Sequence, residues 1–190
     1  MTLFAVLRRA APMAFALLLV TPLVVGAEAL PTPSGPVVLT IAGKIGETNR
    51  PGFDAFEDGF LNYHDKSFER AAAFDVAMLE ALGLQGVTLH SPAWPRAFTF
   101  DGPWLADLLD AVAAQGDRIT VFALDGYAVE ISRDDLQKND WLLAIKRDGA
   151  YLGLGQRGPT WLVYQRRDGR PPTHDDESRW PWSVFYIEVE

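Results

Sequence analysis

RITVFALDGYAVEI, running from Arg118 to Ile131, is the stretch that decides the fold class. Its flanks, Arg118–Leu124 and Tyr127–Ile131, are rich in the β-branched and aromatic residues that suit a pleated, half-buried surface. Asp125-Gly126 sits between them, a pair that type I′ turns favour because both central positions need positive φ. The stretch predicts a β-hairpin. The same logic recurs downstream, where Trp141–Arg147 (WLLAIKR) and Tyr151–Leu154 flank Asp148-Gly149. Between the two hairpins Ser132, with Asp135 three positions on, predicts a capped helix of one or two turns over Arg133–Lys138.

Working outward, VVLTIAG from Val37 to Gly43 predicts the first strand. Glu47 to Arg70 mixes aromatics with acids at no clean period, which points to a long ordered loop or a broken helix. Phe74–Leu82 (FDVAMLEAL) predicts a short helix capped by Asp75 and stopped by Gly83. A strand over Gly86–His90 follows. A second helix is expected to open at Pro103, present Trp104, Leu105, Leu108, Leu109 and Val112 on one side, and end at Gly116. Thr160–Tyr164 (TWLVY) and part of WSVFYIEVE, Trp182 to Glu190, supply the last strands. Short strands dominate and the few helices do not alternate with them. The expected fold is therefore α+β, with mixed sheets and few short helices, and no internal repeat is visible.

At the N-terminus, Arg8 and Arg9 precede an uncharged apolar run from Ala10 to Ala27, the pattern of a secretory signal. Residues 1–27 are read as that signal, with cleavage after Ala27 or after Ala29. Pro12 and Pro22 interrupt the run, which argues against an uncleaved anchor. Residues 28–36, with the Pro-rich LPTPSGP, are read as an extended lead-in, and 37–190 as one domain. Roughly 160 residues suffice for one core without crosslinks. No cysteine occurs, so disulfides, thiolate metal sites, thiol nucleophiles and a lipid-modified cysteine are excluded. The formal charge is −8, which disfavours a phosphate-backbone partner, so nucleic acid is not expected. A periplasmic or secreted protein follows, with no membrane attachment after cleavage.

Four pieces in order carry a resemblance: the LTIAGKI opening from Leu39, the VTLHSPAW to FDGPWLADLL passage, the YAVEI to WLLAIKRDG passage, and GPTWLVY from Gly158. Together with the closing IEVE at Ile187 they resemble the molybdopterin-binding domain of the sulfite oxidase family, across most of Val37–Tyr164. That resemblance implies a cysteine ligand to molybdenum just after the strand at Gly86–His90. Here the window reads Thr88, Leu89, His90, Ser91, Pro92. Imidazole or hydroxyl offers less charge and different softness than thiolate, so ordinary sulfite oxidase chemistry is not expected. A second departure is Trp161, where catalytic relatives commonly carry an arginine two positions after the proline.

His90, Ser91, Trp94 and Arg96 would then be the remnant of a ligand cleft, against the plainer reading of a strand-end histidine and a core tryptophan. Arg157, ahead of Gly158-Pro159, is the other candidate for an anionic ligand, since guanidinium suits bidentate recognition. Lys146 and Arg147 offer the same charge, as solvated surface groups in the plainer view. Trp161, Trp180 and Trp182 can line a ligand surface or pack a core. His174-Asp175-Asp176-Glu177 is read as an exposed acidic turn, lacking the glycine and spacing of a calcium loop. No catalytic residue and no metal ligand is assigned. The expected function is an exported, non-catalytic module that binds a small anionic ligand or an exported partner protein and needs no cofactor. The alternative is a molybdopterin-dependent oxidoreductase with metal coordination completed by His90, Ser91 or solvent. Under the cleft reading, exchange of His90 for alanine abolishes pterin or anion binding.

The signal reading makes a direct prediction. Intact-mass analysis of the chain recovered after export should find its first residue at Glu28 or Leu30, and full-length chain alone would refute cleavage.

Overall fold

The computed structural model describes residues 29–190, so the signal segment lies outside the described residues. In chain order the first half gives β1 (Leu39–Gly43), α1 (Gly59–Tyr63), β2 (Ala71–Phe74), α2 (Val76–Ala81), β3 (Gln85–Leu89), β4 (Phe98–Gly102) and α3 (Leu105–Ala111). The second half gives β5 (Arg118–Ala123), β6 (Ala128–Ser132), α4 (Arg133–Lys138), β7 (Asn139–Ala144), β8 (Lys146–Arg147), β9 (Ala150–Tyr151), β10 (Trp161–Arg166), α5 (His174–Ser178) and β11 (Val184–Val189). Among the described residues, five short helices and several small sheets make this an α+β fold. Among the described residues no helix is long and apolar enough to cross a membrane.

The largest sheet has the order β2-β1-β11-β5-β6. Its first and last strands in the chain, β1 and β11, pair in parallel, from Thr40 opposite Tyr186 to Gly43 opposite Val189. Every other pair in it is antiparallel. The remaining strands form a sheet β3-β4-β8-β9 and the pair β10-β7. Backbone bonds stitch these two together, from Leu143 N to Pro103 O at 3.0 Å and from Ile145 N to Asp101 O at 2.9 Å. That approach requires a bare backbone: a Cβ on Gly102 would stand 2.0 Å from the Leu143 carbonyl oxygen. One face of the largest sheet, through Leu39, Ile41, Val121, Ile131 and Ile187, packs on this second layer and on α3. The other face is covered by the chain between β1 and β2, whose Phe53, Leu61 and Phe68 sit against Ala42, Ala71 and Tyr186. The aromatic, acid-rich segment is thus a long loop with one helical turn, laid over a sheet.

Both hairpins form, by different turns. At Asp148-Gly149 both φ angles are positive, 51° and 78°, as a type I′ turn needs. At Asp125-Gly126 only the glycine is, at 87°. Gly126 N bonds to Ala123 O and Ala123 N to Tyr127 O, which makes a three-residue loop with a bulged glycine. Asp125 instead uses its carboxylate to accept from Tyr127 N at 3.0 Å, a local bond that suits its ordinary backbone angle. The WLLAIKR run is divided: β7 pairs with β10, and after Ile145 β8 pairs with β4 and β9.

Several boundaries differ from expectation; the strand expected over Gly86–His90 spans Gln85–Leu89 and leaves His90 outside it. The Ala71–Phe74 run is strand β2, because pairing with β1 from Leu39–Phe74 to Ala42–Ala71 outweighs the helical preference of alanine. The small side chains fit a site buried on both faces. Helix α3 starts at Leu105 instead of Pro103, because Trp104 keeps an extended backbone and bridges to Leu142. It stops at Ala111, since Ala113 turns to positive φ and Ala114 bridges to Ile45. Helix α4 and its reciprocal cap between Ser132 and Asp135 form as expected.

Asp75 caps α2, accepting from Met78 N at 2.8 Å, and also binds the lead-in through Ser34 N and Gly35 N at 2.7 Å each. Asn49 holds the same stretch, donating to Pro31 O at 2.7 Å and to Ala73 O at 2.9 Å. Hydrogen bonds from Met78 first, then from Gly35 and Ser34, hold the Asp75 carboxyl below its ordinary value against the opposing effect of burial. A lowered carboxyl stabilises the fold above the unfolded-state value, and that contribution is lost as pH falls through the folded one. Asp75→Asn turns an amide NH2 toward Ser34 N and Gly35 N in place of the oxygen they donate to, and should cost about 1 to 2 kcal/mol at neutral pH. Urea unfolding should show the gap to wild type closing as pH drops below the ordinary aspartate range.

Candidate functional site

Strand β3 ends at Leu89 and the chain turns inward, so that His90 is exposed while Ser91 is fully buried. A backbone bond from Trp94 N to Ser91 O, 2.9 Å, closes this turn and drops the Trp94 indole into the second layer. There it meets Trp161 and Trp180, with ring centres 5.6 and 5.5 Å away, and Phe100 at 5.7 Å. Edge and tilted contacts of this kind add to the large apolar area such rings bury.

The polar end of this cluster is answered by α5. The segment read as an exposed acidic turn is a helical turn with Thr173 and Asp176 capping each other reciprocally. Of the three acids in this turn, Asp176 and Glu177 face different partners. Asp176 is buried and accepts from the Tyr164 hydroxyl at 2.6 Å and from Arg166 at 3.2 Å. Burial pushes its carboxyl up, but bonds from Tyr164 and Thr173 outweigh that and hold it below the ordinary value. Tyr164 is raised in turn, by burial first and then by Asp176. Glu177 turns to the tryptophan cluster, where it accepts the Ser91 hydroxyl on one oxygen and the Trp94 indole N–H, at 2.6 Å, on the other.

Beside this pair opens a recess of about 300 Å³, walled by Tyr127, Arg157, Trp161, Glu177, Trp180 and Trp182. The end of the first hairpin supplies Tyr127, whose hydroxyl donates to Ser178 O at 2.6 Å. Strand β10 supplies Trp161, and the approach to β11 supplies Trp180 and Trp182. The Arg157 guanidinium carbon lies 4.7 Å from the Trp161 ring centre and 5.6 Å from that of Trp182. Arg157 is exposed, and among the described residues no carboxylate or carbonyl accepts from its side chain. The Trp180 indole N–H is buried and likewise lacks an acceptor. A larger groove of about 760 Å³ contains Arg166, Arg167, Arg170 and Arg179, but these pair with Asp168, Asp140 and Asp135. Its charges answer each other.

Of the residues expected to form one cleft, Ser91 and Trp94 come together with Glu177, and Arg157 stands at the same recess. His90 is not among its walls. Neither is Arg96, which pairs with Asp148 at 2.7 Å and lies over the Phe98 ring. Lys146 is bound to Glu80 at 2.7 Å, and Arg147 lies over Phe98. Glu177 was missed. The Thr173-x-x-Asp176 spacing is the same capping signal that located α4, and it could have turned an acidic turn into a helix that presents Glu177 inward.

The residues present do not fit a molybdenum ligand set. Ser91 is buried with its hydroxyl committed to Glu177, His90 is exposed outside the recess, and no thiolate exists. Among the described residues no group of three or more His, Cys, Asp or Glu could hold a metal ion. No protein family's sequence model matches the chain, and no curated protein matches it.

Glu177→Ala would leave two buried donors without acceptors, a cost of about 2 to 4 kcal/mol. Glu177→Gln keeps an oxygen for Trp94 and a donor for Ser91, and should cost under half as much. Urea denaturation followed by tryptophan fluorescence measures both, and equal losses in the two variants would refute the hydrogen-bond account.

Proposed function

We propose that this chain is an exported, non-catalytic binding module that takes a small anionic ligand at the Arg157 recess. It would do so on a scaffold resembling the molybdopterin-binding domain of the sulfite oxidase family, with the thiolate-held metal given up. Fold and chemistry separate readily, because function resides in a few side chains placed on a scaffold.

The observation that carries this reading is the state of Arg157. Its guanidinium rests on two indole faces and offers planar, paired donors to which no protein group responds. Stacking holds the fork in place without using its N–H groups, so an incoming carboxylate or phosphate meets a preorganised partner. The recess volume lies at the low end for ligand pockets, which suits a small molecule. Export is supported by the apolar N-terminal run behind Arg8 and Arg9.

The test is a fluorescence titration of the exported chain with a panel of small carboxylates and inorganic phosphate, since Trp161 and Trp182 report directly on the recess. Saturable binding should weaken by about tenfold or more in Arg157→Ala. Stability should fall by no more than about 1 kcal/mol, the scale of an exposed cation–π contact, because the side chain forms no hydrogen bond or ion pair among the described residues. His90→Ala should bind as wild type does. Equal binding by wild type and Arg157→Ala would overturn the proposal.

A further inference from the structure

Resting on that reading, we infer that the ligand carries an ammonium group beside its anionic one, and is a monomeric α-amino acid with an apolar or aromatic side chain. The recess is not simply cationic. Besides Arg157 it is lined by two carboxylates, Asp125 and Glu177. Neither forms an ion pair with Arg157 or with any other cation among the described residues. The nearby groove shows the alternative, in which acids and arginines crowded together pair with one another.

Glu177 is the more informative of the two. It is half-buried, and both of its oxygens accept bonds from neutral donors, Ser91 and Trp94, which hold the carboxylate in place without cancelling its charge. Each carboxylate oxygen has a second acceptor position to offer. Asp125, fixed by its bond from Tyr127 N, adds another negative charge at the recess. With one guanidinium and two carboxylates lining one recess, a ligand bearing only negative charge would be drawn to Arg157 and repelled by its other neighbours. A ligand that brings its own ammonium group satisfies both.

The walls supply the rest. The rings of Trp180, Trp182 and Tyr127 give an apolar surface for a side chain, and tryptophan faces also favour an adjacent cation. A space of about 300 Å³ is sized for a monomer. In an α-amino acid the carboxylate and the ammonium share one carbon, whereas in an extended peptide they lie at opposite ends. The carboxylate goes to Arg157, the ammonium to Glu177 with Asp125 nearby, and the side chain to the rings.

Isothermal titration calorimetry on the exported chain tests this with three probes that share a phenyl ring and its reach: phenylalanine, phenylpropionate and phenethylamine. Leucine and isocaproate form the aliphatic counterpart. Each amino acid should bind about tenfold or more tightly than its deaminated analogue. Glu177→Gln should remove that preference, and Arg157→Ala should weaken both members of each pair. Should Glu177→Gln fail to fold, the wild-type ligand series together with Asp125→Asn, a surface change, still decides the matter. If the deaminated acids bind as well as the amino acids, this inference fails and the anion site stands. If phenethylamine binds best and ignores Arg157→Ala, the site is a cation cage and both readings fall. If none of the probes binds while inorganic phosphate does, this inference fails and the anion site stands; if phosphate does not bind either, both readings fall.

Discussion

The parallel pairing of the first strand with the last is the constraint on which the rest of the molecule depends. With β11 inserted between β1 and β5, the largest sheet cannot be completed until the whole chain is in place. The same insertion fixes the approach to β11, because Leu162 N bonds to Pro181 O at 2.9 Å and Val184 N to Thr160 O at 3.0 Å. Trp180, Pro181 and Trp182 are held in that seam. The recess is therefore a product of sheet closure: its walls come from the hairpin beside β11, from β10 and from the residues entering β11. Stability and site geometry share one set of backbone bonds.

Within the site, burial and charge are separated by function. Trp94, Trp161 and Trp180 are core residues by area, and Trp182 is left partly exposed at the mouth. The carboxylate of Glu177 is tolerated beside this apolar cluster because two neutral donors solvate it in place of water. Arg157 is treated in the opposite way, supported by ring faces and left with its donors unspent. Elsewhere on the surface most arginines pair with a carboxylate, Arg147 over the Phe98 ring being an exception. A protein that leaves charges of both signs unmatched in one small concavity has the makings of a binding site, whereas one that matches them has a stabilised surface.

Much of the local structure was legible because its causes are local. The Asp148-Gly149 turn, the reciprocal cap of α4 at Ser132 and Asp135, the capping of α2 by Asp75, and the apolar face of α3 each follow from residues within a few positions of one another. The α+β class followed from many short strands and few helices. What escaped had distant causes. Ala71–Ala73 is strand because β1 lies beside it, and Pro103 precedes the helix because β7 binds its carbonyl. The acidic run at His174–Glu177 carried a capping signal, but nothing near it in sequence says that Ser91 and Trp94 wait as donors.

The sequence by itself determined the signal-like N-terminus, the absence of thiolate chemistry, the fold class, the hairpins, and Arg157 and Trp94 as residues of interest. Tertiary structure alone decided which of those residues meet. It brought Glu177 to Ser91, placed Trp161 and Trp182 against Arg157, and left His90 and Arg96 outside the recess. The physical reason is that a site of this kind is made by sheet pairing between segments far apart in the chain. Sequence spacing carries no record of which strand edges find each other once the apolar faces are buried.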